Sequence, residues 1–297
     1  MKLKEYLEKS INPKDFIQHI NILELCDYIF DSDFFCEANL HHFGLIDLAQ
    51  CIKKAPNESC IIMCRFRDGE IYRLFTECAH KPQYKYIIVQ TLIGDDGYIL
   101  DTMFNQIPSN VLAIFAKNIV HPHPKIFHIP IGRDWRNTEE HLVESYCKHG
   151  MDHNIAYMNF SIQTCPNVRG RVYNLFARQS WVTARLPECH KVYRMSHTDY
   201  LNEMHQHSFC FSPVGYALDC YRTWDALFAK VIPIVDHNYQ VDYYKSLPIL
   251  YTDDWSEISK DYLLDKYNEM LETDYNFEIS QTSYWRNKFN QLRNRYF

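Results

Sequence analysis

The stretch that decides the fold runs from His207 to Asn238 and reads HSFCFSPVGYALDCYRTWDALFAKVIPIVDHN. Ser208 to Phe211 is a short apolar run of the kind a buried strand needs, and Pro213 and Gly215 end it as chain breakers do at a strand terminus. Asp219 then stands where a helix cap belongs. With the helix started there, Cys220, Trp224, Leu227 and Phe228 fall on one side of a 3.6-residue period and Asp219, Arg222 and Asp225 on the other. One face packs and the other is left for a cleft. Val231 to Val235 follows at once as a second strand. Strand, helix and strand at this spacing make a parallel unit, and parallel units bind ligands beyond the carboxyl ends of their strands. Gly215 and the helix it precedes lie at that end, the anatomy of a nucleotide-phosphate cradle.

Outward from this stretch, short β-rich runs alternate with helical patterns from residue 59 onward. The runs are Cys60 to Cys64, Tyr86 to Thr91, Lys125 to Ile131, Ile155 to Phe160, Val192 to Met195, Ser208 to Phe211, Val231 to Val235 and Pro248 to Tyr251. The alternation predicts an α/β protein with parallel sheets. The stretch from Arg133 to Asn154 is polar and holds Gly150, which sets a boundary between residues 1–149 and 150–275, two Rossmann-like halves. Residues 1–55 read as mostly helical. Residues 276–297, with Tyr284, Trp285 and Phe289 among basic side chains, read as a terminal helix.

The chain has 297 residues, 46% hydrophobic and 15% aromatic, enough for real cores and against disorder. A net charge of -6 gives no general attraction to nucleic acid or anionic membrane, so an anionic ligand must be held by a few placed cations. The 11 cysteines include no CxxC and read as buried thiols of a reducing compartment. No run approaches the roughly 20 apolar residues of a membrane span. The first residues lack the apolar core of a signal peptide, so the expectation is a cytoplasmic enzyme. Among the 15 histidines, His121 with His123 and His205 with His207 lack third and fourth ligands at metal-site offsets. Asp31-Ser-Asp33 sits in a helical context rather than at a strand end. No cofactor is expected, and the site is expected to work without a metal ion.

The block SPVGYALDCYRTWDALFAKVIPIV resembles the donor-site signature of exostosin-like glycosyltransferases: an SP-x-G turn, a D-x-x-R-x-W-[DE]-A-L helix and an IPIV strand in that order. The resemblance extends upstream to AYMNFSIQTCPNVRGRVYNLFARQSWVT from Ala156, downstream to LPILYTDDWSEI, and more faintly back to Phe115. It implies a GT-B architecture of two facing Rossmann-like domains. The nucleotide-sugar donor would be held mainly by the second domain and a glycan or glycoconjugate acceptor mainly by the first, with inversion at the anomeric carbon. In such enzymes the last helix commonly crosses back to the first domain, where residues 276–297 are placed to pack. Without a secretory anchor, a cytosolic enzyme of viral or microbial origin is expected.

A departing nucleoside diphosphate needs positive charge or donors where its negative charge develops. Arg222, in the first turn of the helix, can bind phosphate bidentately, or it can pair with Asp219 or Asp225. Asp225 can accept the ribose hydroxyls, and the family has an acidic residue at this position. Gly215 makes the turn and Ser212 begins the SP-x-G motif. Arg169 and Arg171 open a second helix near a strand end, either one a further diphosphate clamp, with Asn159 and Thr164 as weaker sugar or phosphate contacts in the same loop. The general base belongs to the first half. Asp95 and Asp96, in the GDDG turn after Tyr86 to Thr91, are the choice, followed by Asp68 with Glu70. UDP-sugars lead the donors, UDP-xylose among them. The alternative is a non-catalytic glycan- or nucleotide-binding module on the same fold. A Rossmann dehydrogenase is disfavoured, because no GxGxxG follows any strand.

Overall fold

The computed structural model describes residues 1–9, 11–12, 14–30, 51–66, 69–90, 101–133, 154–185 and 195–297. They divide into two units, each with residues drawn from both ends of the chain. The first comprises Ile17–Ile131 and Ser280–Phe297, and the second comprises Met1–Phe16 and Gly132–Ile279.

In the first unit the strands are β1 (Tyr28–Phe30), β2 (Cys51–Ile52), β3 (Cys60–Cys64), β4 (Tyr86–Gln90), β5 (Val111–Ala116) and β6 (Ile126–His128). They form one sheet in the order β2-β1-β3-β4-β5-β6, parallel at every pairing. Every residue of β3 and β4 is buried, as expected of parallel strands covered on both faces. The helices are α2 (His19–Leu23), α3 (Glu70–Ala79), α4 (Asp101–Phe104) and α10 (Thr282–Tyr296). Gly69, at φ 77, takes the left-handed turn that starts α3. Ile71, Leu74, Phe75 and Cys78 of that helix make one buried face against the sheet. Helix α10 buries Trp285 and Phe289 completely, with the Phe289 ring tilted at 35° against Phe115, centroids 5.0 Å apart. Its far end is tied by Arg293 to Asp27 at 2.9 Å and to the Leu25 carbonyl at 2.6 Å.

In the second unit, α1 (Leu3–Glu8) precedes β7 (Ala156–Asn159), α5 (Pro166–Phe176), β8 (Val182–Arg185), α6 (His197–His205) and β9 (Phe209–Phe211). Then come α7 (Tyr221–Phe228), β10 (Ile232–Asp236), α8 (Tyr239–Asp242), β11 (Leu250–Thr252) and α9 (Lys260–Leu271). The sheet order is β11-β10-β9-β7-β8, again all parallel. Helix α1 docks on this unit: the Tyr6 hydroxyl donates to the Leu227 carbonyl at 2.9 Å, and Lys230 Nζ donates to the Leu7 carbonyl at 2.8 Å. The Tyr6 ring stacks on Phe277 at 3.9 Å.

The two sheets share one plan. In each, the first strand in sequence lies between the second and the third, and the later strands follow outward from the third. The strand order therefore reverses beside the first strand, between β1 and β3 in one sheet and between β7 and β9 in the other. Such reversal points open the crevice where α/β sheets bind ligands.

Several expectations are corrected. The N-terminal residues 1–16 belong with the second unit, not the first, because Leu3, Tyr6 and Leu7 bury their side chains there. The division falls at residues 131 and 132 rather than 149 and 150. Residues 1–55 are not mostly helical where described, since β1 and β2 lie among them. β5 and β8 were not anticipated either. The expected strand at Val192 to Met195 lies outside the described residues except for Met195. Among the described residues, no helix is long and apolar enough to cross a membrane.

Candidate functional site

The reversal point of the second sheet is bounded by two loops. One runs from Phe160 to Cys165 after β7 and leads into α5; the other runs from Ser212 to Cys220 after β9 and leads into α7. Pro166 starts α5 where a missing amide hydrogen does no harm. Asp219 does not cap α7. The residue at the cap is Cys220, with no side-chain hydrogen bond, and Asp219 is wholly buried beneath it. Its carboxylate accepts from the Trp224 indole at 2.8 Å and from the Tyr244 hydroxyl at 3.0 Å. A buried carboxylate needs such donors more than an exposed helix end needs a cap.

The expected division of α7 into a packed and an open face is also corrected, because every residue from Thr223 to Phe228 is buried. Asp225 is 4% exposed. Its Oδ1 faces Arg133 Nε at 3.7 Å and His197 Nε2 at 4.0 Å. Arg133 is itself buried and lies 3.6 Å over the Phe228 ring, and burial lowers its pKa although Asp225 opposes the shift. Nothing in local sequence pattern links Arg133 to Asp225.

Arg222 enters from the first turn of α7. Its Nε donates to the Asn159 carbonyl at 2.7 Å, and its guanidinium lies 5.3 Å from the Phe160 ring. Nη1 is buried and has no hydrogen-bond partner among the described residues. Arg222 is in no ion pair among the described residues, so the pairings with Asp219 or Asp225 that its sequence position allows are not made. Phe160, which the sequence did not single out, is the aromatic surface shared by both arginines of the site: Arg169 lies 5.6 Å from the same ring.

Arg169 is 5% exposed and all five of its N–H donors have acceptors. Nε donates to the Val214 carbonyl at 2.9 Å, Nη1 to the Ser161 carbonyl at 3.1 Å and to Thr164 Oγ1, and Nη2 to the Pro213 carbonyl at 3.1 Å and Cys220 Sγ at 3.6 Å. Burial first, and the neighbouring Arg222 charge second, bring this guanidinium down to about 10. Gly215 is the residue beside it. A Cβ there would stand 2.9 Å from Arg169 Cζ, so the glycine serves close approach as well as the turn.

The remaining expected contacts are placed as follows. Ser212 is buried and its hydroxyl shares a 2.9 Å hydrogen bond with Thr223. Thr164 donates to the Ser161 carbonyl at 2.9 Å. Asn159 donates from Nδ2 to the Tyr157 hydroxyl at 2.9 Å. Arg171 points away from these groups and forms a 2.6 Å ion pair with Asp254 at an exposed position. The structure thus gathers Arg169, Arg222, Asn159, Thr164, Ser212 and Gly215, and sends Arg171 elsewhere. Asp236, not anticipated, anchors the glycine loop by accepting from the Val214 amide and the Trp255 indole, both at 2.7 Å.

Asp95, Asp96 and Asp68 lie outside the described residues, as does Asp31-Ser-Asp33. Glu70 is buried and paired with Arg73 at 3.1 Å. His205 and His207 are held by carbonyls: His205 Nδ1 lies 2.6 Å from the Ala229 oxygen and His207 Nδ1 2.8 Å from the Glu203 oxygen. Among the described residues, no group of three or more His, Cys, Asp or Glu is arranged to hold a metal ion.

Two Rossmann-like units with parallel sheets and a C-terminal helix constitute a GT-B fold. A crystal structure of an alpha1,3-fucosyltransferase is similar to it, with a TM-score of 0.51 at 13% identity over 89% of this chain and 88% of the other. A crystal structure of an alpha1,3-fucosyltransferase with GDP-fucose aligns at a TM-score of 0.48 and 12% identity over 98% and 95% of the two chains. The chain has the GT-B fold. Its residues 156–297 match the family model of the RXYLT1 C-terminal domain. No curated protein matches the chain significantly.

Proposed function

We propose that the chain is an inverting glycosyltransferase that takes a sugar from a nucleoside-diphosphate donor, with UDP-xylose first among the candidates, and transfers it to a glycan or glycoconjugate hydroxyl. The observation that carries the reading is Arg222. Its cation stands at the reversal point of the sheet, fixed through Nε, with Nη1 buried and without a partner among the described residues. With Arg169 beside it and neither arginine in an ion pair among the described residues, the two positive charges favour a ligand bearing at least two negative ones. A diphosphate has that charge, and the guanidinium fork matches its oxygens. UDP-xylose is put first by the match to the RXYLT1 C-terminal domain, of an exostosin-like xylosyltransferase family.

In the reaction an acceptor hydroxyl oxygen attacks the anomeric carbon as the bond from that carbon to the diphosphate oxygen breaks. The electron pair leaves with the diphosphate, where Arg222 meets the developing charge, and the hydroxyl proton passes to a base. Asp95 and Asp96 are proposed for that base. The test is a panel of nucleotide sugars scored by thermal stabilisation, since a ligand bound only by the folded state raises stability by mass action. A UDP-sugar should raise Tm in the wild type and raise it less in Arg222→Ala. Equal stabilisation of both proteins would sink the reading.

A further inference from the structure

Arg169 was expected to touch diphosphate, yet its contacts describe a different task. Of its five donors, three reach the loop after β9 through Val214, Pro213 and Cys220, and two reach the loop after β7 through Ser161 and Thr164. These are the two loops that bound the reversal point. No N–H is left over for a ligand. A lysine has three donors radiating from one nitrogen and cannot span the same acceptors.

We infer that Arg169 is a positioning residue: it straps the loop after β7 to the loop after β9 and so sets the place of Arg222, whose Nε is fixed on the β7 end and whose helix begins at the β9 loop. The inference rests on the donor site proposed above. Three further observations support it. Gly215 leaves room for the guanidinium where a Cβ would stand 2.9 Å from Cζ. Asp236 holds the same loop from the side of β10 through the Val214 amide. Cys220, which accepts from Arg169, is also the residue from which α7 starts. The strap thus runs from α5 to the cap residue of the helix that carries Arg222.

The experiment compares wild type with Arg169→Lys, Arg169→Ala, Gly215→Ala, the double variant and Arg222→Ala. UDP and GDP binding is measured by calorimetry, transfer kinetics with the donor found in the panel, and folding by circular dichroism well below each Tm. Arg169→Lys keeps the charge, yet it should weaken nucleotide binding by roughly tenfold, the equivalent of one charged hydrogen bond at Arg222. The donor KM should rise while the acceptor KM stays. Gly215→Ala should do the same in the wild-type background and almost nothing in Arg169→Ala, because the methyl group then has no guanidinium to displace. Should Arg169→Ala not fold, Arg169→Gln takes its place.

Wild-type affinity in folded Arg169→Lys, or an equal Gly215→Ala effect in both backgrounds, overturns the inference and leaves the donor site standing. No binding of UDP or GDP by the wild type removes the donor site and the strap with it.

Discussion

Arg222 and Asp219 lie three residues apart and were given one face of one helix by their spacing, but the fold gives them opposite tasks. Arg222 keeps a buried nitrogen without a partner among the described residues, whereas both oxygens of Asp219 are engaged. Arg222→Ala should raise the dissociation constant for the donor nucleotide by about tenfold or more, and Arg222→Lys should recover only part, since a point charge cannot copy the bidentate fork. Calorimetry with UDP checks both. Asp219→Ala should lower stability by roughly 1–3 kcal/mol for each of the two donors left unmet. Asp219→Asn, which keeps an acceptor, should lose less in a urea titration. The position of Arg222 was legible from the turn and the helix start. The work of Asp219 was not, because Tyr244 is brought to it by packing across α8. Arg169 shows the same limit: its place at a helix start could be read, but its five acceptors come from two loops that meet only in the folded sheet.

At the scale of elements, the strands with continuous apolar sequence were the readable ones. β3, β4 and β10 are fully or almost fully buried parallel strands, and a run such as CIIMC or YIIVQ has no other economical place. β8 is half exposed at a sheet edge, where VTAR carries too little apolar signal to stand out, and β1 and β2 are two or three residues long. β5, VLAIFA, carries the same apolar signal and is likewise almost wholly buried. His205 ends α6 and His207 lies in the turn before β9, and burial lowers the pKa of both from 6.5. Their neutral rings are the folded form. The unfolded chain therefore takes up protons first as pH falls below about 6.5, and stability declines with it. Urea midpoints should drop between pH 7.5 and pH 5.5, and His207→Gln should remove part of that slope. An unchanged slope in His207→Gln would assign the pH dependence to other groups.

Across the whole molecule the termini are exchanged: residues 1–16 complete the unit built from 132–279, and residues 280–297 complete the unit built from 17–131. Removing residues 280–297 takes away the fully buried Trp285 and Phe289, and even one such aromatic reduced to alanine costs about 3–5 kcal/mol. Hydrogen exchange on the shortened chain should show protection lost in β3 and β4 and kept in β7 and β9. Uniform protection in both sheets would refute the exchange. By itself the sequence determined the parallel α/β class and the strand–helix–strand unit from His207 to Asn238, because apolar period, turn residues and strand spacing act over a few neighbouring positions. Only the tertiary structure decided which arginine keeps a buried nitrogen without a partner among the described residues, which one bonds to two loops, and to which unit each end of the chain belongs. Those outcomes depend on groups far apart in sequence, and a buried donor or carboxylate takes whichever partner packing delivers.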